Sequence, residues 1–431
     1  MDPLNIEFDR KEIIRNEIER ENRIVSEPEE RLAKYADMLV SPFNFYRATA
    51  HLFFRDIGAG VVQIPSEWKN SKESYTWIQG DLHSQNLGYF DNSLGEVKFD
   101  LNDFDESYIG PSYWDLIRFM SALYLQREEL DFECSVSDTD ELALKFLEEY
   151  QETMEKIQED TKYLERELTE EYLNGFLKDR IKDLQFQGKK KTAVKKWCTE
   201  ENGKLIFDLQ NIDLRKLDKI VWDKIYSTVS VYSVNLKEKY QVQDITRRIN
   251  SGLGSQGMKK YYILMKKNKD EQFIIAELKE QKSPSMFLAG EISEKEYSEK
   301  YKSHSERSAA AMNSILKNAD SFVAALKIDG LDFIIKKISD YKTKFKPEEF
   351  SDKSDFKNFI KYSAKATAIA HCRAQRYVPS RINTSFEDSV LNYLNKLPDI
   401  KEHLCVVSRT YADQVFSDFV LFKELISEKS L

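Results

Sequence analysis

Apolar and polar positions follow two different periods in the first third of the chain. Apolar residues recur every three or four positions within residues 5–38, 45–57 and 113–126, which is the spacing of a helix with a buried face. Two short runs between these segments, residues 75–79 and 97–101, contain aromatic and β-branched residues and predict strands. The pattern therefore predicts long helices that enclose a short strand region.

The middle of the chain has a different pattern. From residue 135 onward, apolar residues such as Leu142 and Met154 recur at helical spacing in an otherwise charged stretch. A basic run follows at residues 189–191 and 195–196, and we interpret it as a solvated loop and helix face in preference to a phosphate-binding patch. Residues 135–240 are therefore predicted to form a helical insertion.

Beyond residue 240 the pattern indicates an antiparallel sheet. The dipeptide Asp329-Gly330 between two apolar runs is a strong hairpin signal. Helical spacing occupies residues 292–318 and returns after residue 347. Five strands are predicted, at residues 244–250, 260–266, 272–280, 321–328 and 331–338.

The composition limits the classes of protein to consider. A chain of 431 residues exceeds the roughly 250–300 residues of a single hydrophobic core, so two or three packed units are expected. The 65 basic and 74 acidic residues give a net charge of −9, which argues against a broad nucleic-acid surface. The sequence has neither the ~18 consecutive apolar residues of a membrane span nor a secretory signal, so we expect a cytoplasmic protein without membrane contact.

Two acidic loops contain the most informative chemical groups. The first is the segment 80–86, which reads Gly-Asp-Leu-His-Ser-Gln-Asn, and the second begins with Asn102-Asp103 after a predicted strand. Phosphoryl transfer requires such a set, because one carboxylate orients and deprotonates the attacking hydroxyl while an amide and a second carboxylate hold magnesium on the nucleotide phosphates. We therefore predict Asp81 as the catalytic residue, and Asn86 and Asp103 as magnesium ligands.

These loops resemble those of the aminoglycoside phosphotransferase and protein-kinase-like superfamily, whose first loop reads His-Gly-Asp-Leu-His-x-x-Asn. Gln79 stands two positions before Asp81, where that superfamily usually has the histidine. A Gly-x-Pro-type turn and a Tyr/Trp-Asp-Leu helix start follow the metal-binding aspartate in the superfamily. The corresponding residues here are Gly110, Pro111, Trp114, Asp115 and Leu116. Their spacing favours Asp103 over Asp100 as the magnesium ligand, and Asp105 stays open as an additional ligand.

A second group of candidate residues is a glycine-rich loop between two predicted strands. It reads Gly-Leu-Gly-Ser-Gln-Gly at residues 252–257, and a third strand ends near Lys279. The same order occurs in the nucleotide-binding lobe of kinases, where glycines let the backbone approach the phosphates and a lysine neutralises them. This resemblance assigns the lysine role to Lys279 and its partner carboxylate to Glu306 on the next helix. The loop residues that it assigns to the phosphates are Gly252, Gly254, Ser255 and Gly257.

The order of the two groups is the reverse of that in kinases, because here the acidic loops precede the glycine-rich loop. We interpret this as a circular permutation, in which the connectivity changes and the spatial arrangement is kept. Lys279 is then expected within a few ångströms of Asp103. The predicted fold is α+β, a circularly permuted kinase-like fold with two lobes and a helical insertion. Its predicted units are a first helical part with the catalytic loops at 1–134, the insertion at 135–240, a nucleotide-binding lobe with a five-stranded antiparallel sheet at 241–345, and a second helical part at 346–431.

The whole arrangement also resembles a family of uncharacterised bacterial proteins, a domain of unknown function. Shared segments include Ser-Pro-Phe-x-Phe-x-Arg, here residues 41–47, and Ala-x-Ala-His-x-Arg, here residues 368–373. Within them, Arg47 is open to phosphate binding or to an ion pair, and His371 is expected to be a packed, hydrogen-bonded histidine.

Together the resemblances imply a phosphotransferase that depends on ATP and magnesium and acts on a hydroxyl of an unidentified small molecule or protein. Two alternatives stay open, a nucleotide-binding pseudokinase that regulates a partner and an adenylyl transferase on the same fold. The complete set of Asp81, Asn86, Asp103 and Lys279 argues against the pseudokinase. The sequence does not distinguish phosphoryl from adenylyl transfer.

Overall fold

The fold combines helices with antiparallel sheets, which confirms the predicted α+β class. The computed structural model describes residues 3–22, 25, 27–65, 68, 72–188, 192–250, 252–270, 272–376, 386–396 and 399–431, without the side chains of residues 3–9, 255 and 396. The basic run at 189–191 lies outside the described residues. None of the described helices combines the length and apolar character that a membrane crossing requires.

The secondary-structure elements are numbered in chain order. The helices are α1 (Pro3–Asn22), α2 (Pro28–Met38), α3 (Pro42–Ala48), α4 (Ala50–Gly58), α5 (Ser112–Gln126), α6 (Val136–Glu159), α7 (Gly175–Gly188), α8 (Ala193–Trp197), α9 (Lys219–Asn235), α10 (Glu294–Lys300), α11 (His304–Ile315), α12 (Lys353–Gln375), α13 (Phe386–Lys396) and α14 (Ile400–Ser427). The strands are β1 (Tyr75–Ile78), β2 (Leu87–Asp91), β3 (Val97–Leu101), β4 (Tyr108–Pro111), β5 (Leu168–Thr169), β6 (Cys198–Glu201), β7 (Lys204–Phe207), β8 (Leu214–Arg215), β9 (Tyr240–Arg248), β10 (Lys260–Lys267), β11 (Phe273–Glu280), β12 (Ala324–Ile328), β13 (Leu331–Lys337) and β14 (Thr343–Lys344).

The first helical patterns are divided more finely than the periodicity predicts. Pro28 begins α2, because proline fits the first turn of a helix and not its interior. The pattern at 45–57 belongs to two helices, α3 and α4, since Thr49 between them has φ −125° and ψ 43°. Ser41 caps α3 by accepting a hydrogen bond from the Asn44 amide.

Two small antiparallel pairings position the acidic loops. β1 pairs with β4, and β2 pairs with β3. One acidic loop therefore leaves β1 and enters β2, while the other leaves β3 and enters β4. The Asn102 amide donates to the Asn86 carbonyl at 2.9 Å, which holds the two loops side by side. The strands β2 and β4 escaped the sequence analysis, whereas β1 and β3 confirm it.

The large sheet has six strands in the order β12-β13-β11-β10-β9-β8 and is antiparallel throughout. It contains all five predicted strands. The sixth, β8, has two residues and pairs with the end of β9. A two-residue strand has no periodicity of its own, so the pattern could not reveal it.

The segment 135–240 is not a helical insertion, which corrects the sequence-based expectation. Its first part, α6 and α7, belongs to the main helical core, where α6 packs along α12. Its second part covers both faces of the six-stranded sheet. Ile225 and Val229 of α9 are buried on one face, while Trp197 and Phe207 are buried on the other. Local periodicity identified helices correctly but could not say which core each helix joins.

The helices α1 and α2 form an N-terminal arm (residues 3–38) that contacts both the helical core and the large sheet. Arg10 forms ion pairs with Asp56 on α4 and Asp418 on α14. Near the other end of the arm, Glu30 accepts from Arg247 of β9 at 2.7 Å. The arm therefore links the helical core to the edge of the glycine-rich loop.

Candidate functional site

Buried polar groups hold the backbone of the first acidic loop in place. The Asp115 carboxylate accepts from the backbone amides of Gln79 and Gly80 at 2.7 and 2.9 Å. His371 lies 3.1 Å from the same carboxylate and bonds to the Tyr150 hydroxyl at 2.9 Å. His371 thus supports the loop through Asp115, in agreement with the packed role expected for it.

Gln79 joins the two acidic loops. Its side-chain oxygen accepts from the Asp81 amide at 2.7 Å, and its side-chain nitrogen donates to the Asp103 carbonyl at 2.6 Å. The residue that departs from the superfamily motif therefore connects the backbones of the predicted catalytic and metal-binding residues. An amide carries both a donor and an acceptor, so one side chain can do this in a single geometry.

Asp81 is held by a buried arginine. Arg118 on α5 contacts Asp81 Oδ1 through Nε at 2.7 Å and through Nη2 at 2.5 Å. Burial alone would raise the pKa of Asp81, but Arg118 and His83 outweigh it and keep this pKa below its ordinary value. Asp81 is therefore ionised at neutral pH.

The sequence analysis missed Arg118, although a signal was present. It is an arginine in the middle of an otherwise apolar helix, and a buried arginine requires a partner. Its guanidinium also donates to the Tyr46 carbonyl at 3.1 Å and lies 4.1 Å from the centre of the Tyr46 ring. These contacts fix the position of Asp81.

Asn86 and Asp103 lie where the two loops meet. The Asn86 side-chain nitrogen donates to the Asp81 carbonyl at 2.9 Å, and no described donor occupies its amide oxygen. Asp103 has φ +62°, a left-handed conformation that is unfavourable for a residue with a side chain and is often found at functional sites. Asp81, Asn86 and Asp103 therefore border one common space, as the motif predicted.

Lys279 reaches the second acidic loop from β11. Its ammonium lies 3.0 Å from Asp103 Oδ1 and also forms a close ion pair with Asp105. The predicted proximity of Lys279 and Asp103 is confirmed. Burial alone would lower the pKa of Lys279, but Asp103 and Asp105 outweigh it and raise this pKa. Burial alone would raise the pKa of Asp103, but Lys279, with Lys344 and other lysines nearby, holds it well below its ordinary value.

Glu306 is not the partner of Lys279, which corrects the prediction. Glu306 is exposed in the first turn of α11, where its carboxylate accepts from the Lys302 amide at 3.0 Å. Acidic residues are favoured in this first turn, where they satisfy free amide groups. Capping thus accounts for Glu306, and Asp103 and Asp105 supply the carboxylates that pair with Lys279.

The helix α11 reaches the site through Arg307 instead. This fully buried guanidinium donates to the carbonyls of Phe104 and Ser107 at 3.2 and 2.7 Å, so it supports the second acidic loop. It also donates to the Lys282 carbonyl at 3.2 Å, just beyond β11. Arg307 therefore links α11, the second acidic loop and the sheet.

The glycine-rich loop borders the same space as the acidic loops. Gly252 and Gly254 line the cavity that also contains Asp81 and Asp103. A Cβ on Gly252 would lie 3.3 Å from Lys344 Nζ. Gly257 has φ +86°, and a Cβ there would lie 2.3 Å from a methyl group of Val25 on the arm. Ser255 lies in the short helical turn Leu253–Ser255, and its side chain is outside the described residues.

The cavity between the glycine-rich loop and the acidic loops has a volume of about 590 Å³ and a strongly positive lining. Nine cationic and four acidic side chains border it. The cationic residues are Arg47, Lys196, Arg248, Lys260, Lys279, Lys336, Lys342, Lys344 and Lys346, and the acidic residues are Asp81, Asp103, Glu277 and Asp340. Such a lining attracts a polyanion of nucleotide size.

Burial, and to a smaller extent the neighbouring positive charges, lowers the pKa of two of these lysines. Burial lowers the pKa of Lys260 to about 8, against the opposing effect of Glu277. Burial also lowers the pKa of Lys344 to about 8, with Lys342 and Arg47 adding to the effect and Asp103 opposing it. A bound anion would reduce the repulsion between these positive charges.

The donor groups fit a magnesium ion that is shared with phosphate oxygens. Among the described residues, no group of three or more His, Cys, Asp or Glu side chains is arranged to hold a metal by itself. Asn86 and Asp103 offer one amide and one carboxylate oxygen, both hard ligands, which suits magnesium bound mainly through substrate phosphates and water. The remaining coordination would have to come from a ligand.

The fold and the site define a class of α+β proteins in which two acidic loops face a glycine-rich loop and a lysine-lined cavity. The family model described as "uncharacterized protein conserved in bacteria (DUF2252)" matches residues 27–425, and the chain belongs to this family. Neither the curated proteins nor the solved structures gave a match to the chain.

Proposed function

We propose that the protein is an ATP- and magnesium-dependent phosphotransferase that acts on a hydroxyl group. The observation that supports this best is the contact of 3.0 Å between Lys279 and Asp103 in a cavity that Asp81, Asn86 and the glycine-rich loop also line. Phosphoryl transfer depends on positioning and charge stabilisation, and these groups are the ones it requires.

We interpret the arrangement as a circularly permuted kinase-like fold. In chain order, β9, the glycine-rich loop, β10, β11 with Lys279, α11 and the hairpin β12–β13 follow the acidic loops. Residues of β9, the glycine-rich loop, β10, β11 and β13 nevertheless line one cavity with those loops. Connectivity can change in this way without moving the groups that perform the chemistry, and the six-stranded sheet then has the role of a nucleotide-binding lobe.

Each residue has a distinct role in this proposal. Lys279 and the lysines beside it hold the phosphates, and the backbone at Gly252 and Gly254 lets them approach closely. Asp81, fixed by Arg118 and ionised, accepts a hydrogen bond from the acceptor hydroxyl and orients it for attack. When bound, magnesium–ATP supplies the transferable phosphoryl group and a metal that neutralises charge developing on its oxygens.

The ion pair of Lys279 with Asp103 and Asp105 has a cost and a benefit. It keeps both charges compensated inside the cavity before the nucleotide binds, which avoids an unpaired buried charge. Binding of the nucleotide has to exchange these contacts for phosphate and magnesium contacts. We therefore expect nucleotide and metal each to strengthen the binding of the other. The phosphates draw Lys279 away from Asp103, and the metal then compensates the charge of Asp103.

The test is incubation of the full chain with ATP labelled separately at the γ- and α-phosphate, with a panel of metabolites and proteins. Transfer of the γ label that requires magnesium supports the proposal. Transfer of the α label would instead establish adenylyl transfer. Nucleotide binding without transfer of either label, under conditions in which magnesium–ATP stabilises the protein, would contradict an enzymatic role.

A further inference from the structure

The cavity contains more positive charge than the proposed reaction requires. Nine cationic and four acidic side chains line it. Three of the cations also pair with carboxylates just outside the lining, which are Asp105, Asp213 and Glu348. Four others have no carboxylate within ion-pair distance among the described residues. In a magnesium–ATP complex the metal cancels half of the charge on the triphosphate, so the complex compensates about two of these four. A second anionic group is needed to compensate for the remainder, because uncompensated charges in a confined space repel one another.

The cations in the cavity differ in whether a carboxylate accompanies them. Lys279 pairs with Asp103 and Asp105, while Lys260 and Lys336 each lie 3.7 Å from Glu277. Arg248 and Lys346 pair with Asp213 and Glu348. By contrast, four cations have no carboxylate within ion-pair distance among the described residues: Arg47, Lys196, Lys342 and Lys344. These four are the cations available to an additional ligand.

Arg47 is the best placed of the four to bind a second anion. Its guanidinium donates to Asn44 Oδ1 at 3.0 Å, while its buried Nε has no partner among the described residues. Arg47 also lines the cavity together with Asp81, the residue that would orient the acceptor. Lys344 approaches from β14, which pairs with β2 next to the first acidic loop. A guanidinium and an ammonium on either side of a site suit a phosphate or carboxylate group.

We propose that the acceptor is a hydroxyl compound with an anionic group, a phosphate or a carboxylate, which Arg47 and Lys344 bind while Asp81 orients the hydroxyl. This inference rests on the proposed phosphotransferase function and narrows its substrate class. A polycationic acceptor such as an aminoglycoside would be repelled by the same lining.

The first test measures the thermal stability of the full chain with inorganic phosphate as the probe, at constant ionic strength. Saturating magnesium and a non-hydrolysable ATP analogue should stabilise the protein, and phosphate should then add a second, saturable increase. Arg47→Gln should lose the increase due to phosphate and keep the increase due to the nucleotide. Lys295→Gln is the matched control, since it removes one positive charge from a side chain that is 85% exposed on α10. It should keep both increases.

The outcomes separate the two proposals. If phosphate adds nothing once the nucleotide is saturating, or if Arg47→Gln weakens nucleotide and phosphate equally, the surplus cations serve the nucleotide and the anionic acceptor is refuted. If the nucleotide with magnesium gives no stabilisation at all, the phosphotransferase proposal itself fails, whatever phosphate does.

The second test compares acceptors in matched pairs, each a polyol or sugar and its phosphorylated or carboxylated counterpart, with γ-labelled ATP. Transfer to the anionic member should be at least about tenfold more efficient, as expected for one added charged contact, and Arg47→Gln should reduce this preference. Separate phosphate and carboxylate series identify the group. Preference for the neutral members, or for an aminoglycoside, would overturn the proposal.

Discussion

At the scale of single residues, the position of Asp81 depends on a network that is distant in sequence. Arg118 binds its carboxylate and the Gln79 side chain accepts from its amide, while Asp115 accepts from the amides of the two preceding residues. The loop is thus fixed before any ligand binds, which is the preorganisation that phosphoryl transfer needs.

Asp81→Asn should lower the rate of phosphoryl transfer by roughly 10²–10⁴-fold, because an amide cannot take the proton of the hydroxyl or orient it equally well. Magnesium-dependent binding of the nucleotide should change little. Rates from labelled ATP and dissociation constants from calorimetry measure the two effects. Asp100→Asn is a control that removes a buried carboxylate paired with Lys98 at 3.1 Å on β3. A wild-type rate in Asp81→Asn would exclude this loop from the chemistry.

Asp103→Asn should affect binding first. The Asp103 carboxylate is the one offered to the metal, and it is also one of the two carboxylates that pair with Lys279. The substitution removes both interactions. We expect the stabilisation by nucleotide to become nearly independent of magnesium, as measured by melting temperatures with and without the metal. An unchanged dependence on magnesium would assign the metal to other ligands.

The sequence was sufficient for some of these residues and insufficient for others. Asp81, Asn86 and Asp103 lie in short local motifs whose spacing reflects their chemistry. Arg307 and Arg118 act through contacts across the fold, so no local spacing reveals them. Glu306 illustrates the opposite error, because acidic residues are common in a first helical turn for reasons of capping alone.

At the scale of elements, the glycines of the 252–257 loop have different functions. Gly257 is required by its backbone conformation and by the contact with the arm, whereas Gly252 faces the cavity. The two positions can therefore be separated by substitution.

Gly257→Ala should reduce the free energy of unfolding by about 1–2 kcal/mol or more, because φ +86° is unfavourable with a side chain and the methyl group would clash with Val25. Gly252→Ala should leave stability nearly unchanged and weaken nucleotide binding, since its methyl group would lie beside Lys344. Chemical denaturation and calorimetry test the pair. Equal effects of both substitutions on stability would show that the loop has one structural role only.

The strands also show which elements the hydrophobic pattern predicts and which it misses. The long strands β10 and β11 and the hairpin at Asp329-Gly330 agree with their patterns. The strand β2 was missed because it contains Gly88, and glycine is depleted in strands. The structure accounts for that glycine, since a Cβ would lie 2.2 Å from the Thr343 carbonyl oxygen on β14. This close approach is a tertiary contact and is invisible to a local pattern.

At the scale of the whole molecule, the lysines of the cavity should make the proposed nucleotide binding depend on pH. The pKa of Lys260 and the pKa of Lys344 are about 8 in the folded protein, below their ordinary value of 10.5. Both side chains are charged below pH 8 and lose their charge above it. Nucleotide affinity should therefore fall as the pH rises from 7.5 to 9.

Without ligand, the contribution of these lysines to the stability of the fold should rise with pH, opposite to the change in nucleotide affinity. Between the folded pKa and the ordinary pKa of these lysines, the unfolded chain binds more protons than the folded chain, so their contribution to stability rises with pH. Melting temperatures with and without the nucleotide from pH 7 to pH 9 test both signs. In Lys344→Met both trends should be weaker, and an unaltered profile would place the titrating groups elsewhere.

The arm is joined to the rest of the molecule by buried charges. Asp56 and Asp418 are 0% and 1% exposed, and Arg10 is bound to both. Arg10→Met should cost about 3–5 kcal/mol, since it leaves two buried carboxylates without their cation. The loss should be larger at pH 8 than at pH 5, because burial raises the pKa of Asp418 and protonation removes its uncompensated charge at the lower pH.

Denaturant unfolding at the two pH values measures this cost. Lys11→Met is the control, since its partners Glu424 and Glu428 are half exposed and solvent screens such ion pairs. A cost for Arg10→Met no larger than that of the control would show that the arm is held by apolar contacts alone.

The ion pair between Arg10 and Asp418 can form only late in the synthesis of the chain. The two residues are 408 positions apart, so at roughly 5–20 residues per second the ribosome needs on the order of 20–80 s after making the first before it makes the second. During that interval the surface of α1 that later meets α14 has nothing to cover it, and the nascent chain offers it to chaperones and proteases. The glycine-rich loop and the residues of its cavity are synthesised within the same interval, so this ion pair forms only after all parts of the site have been made.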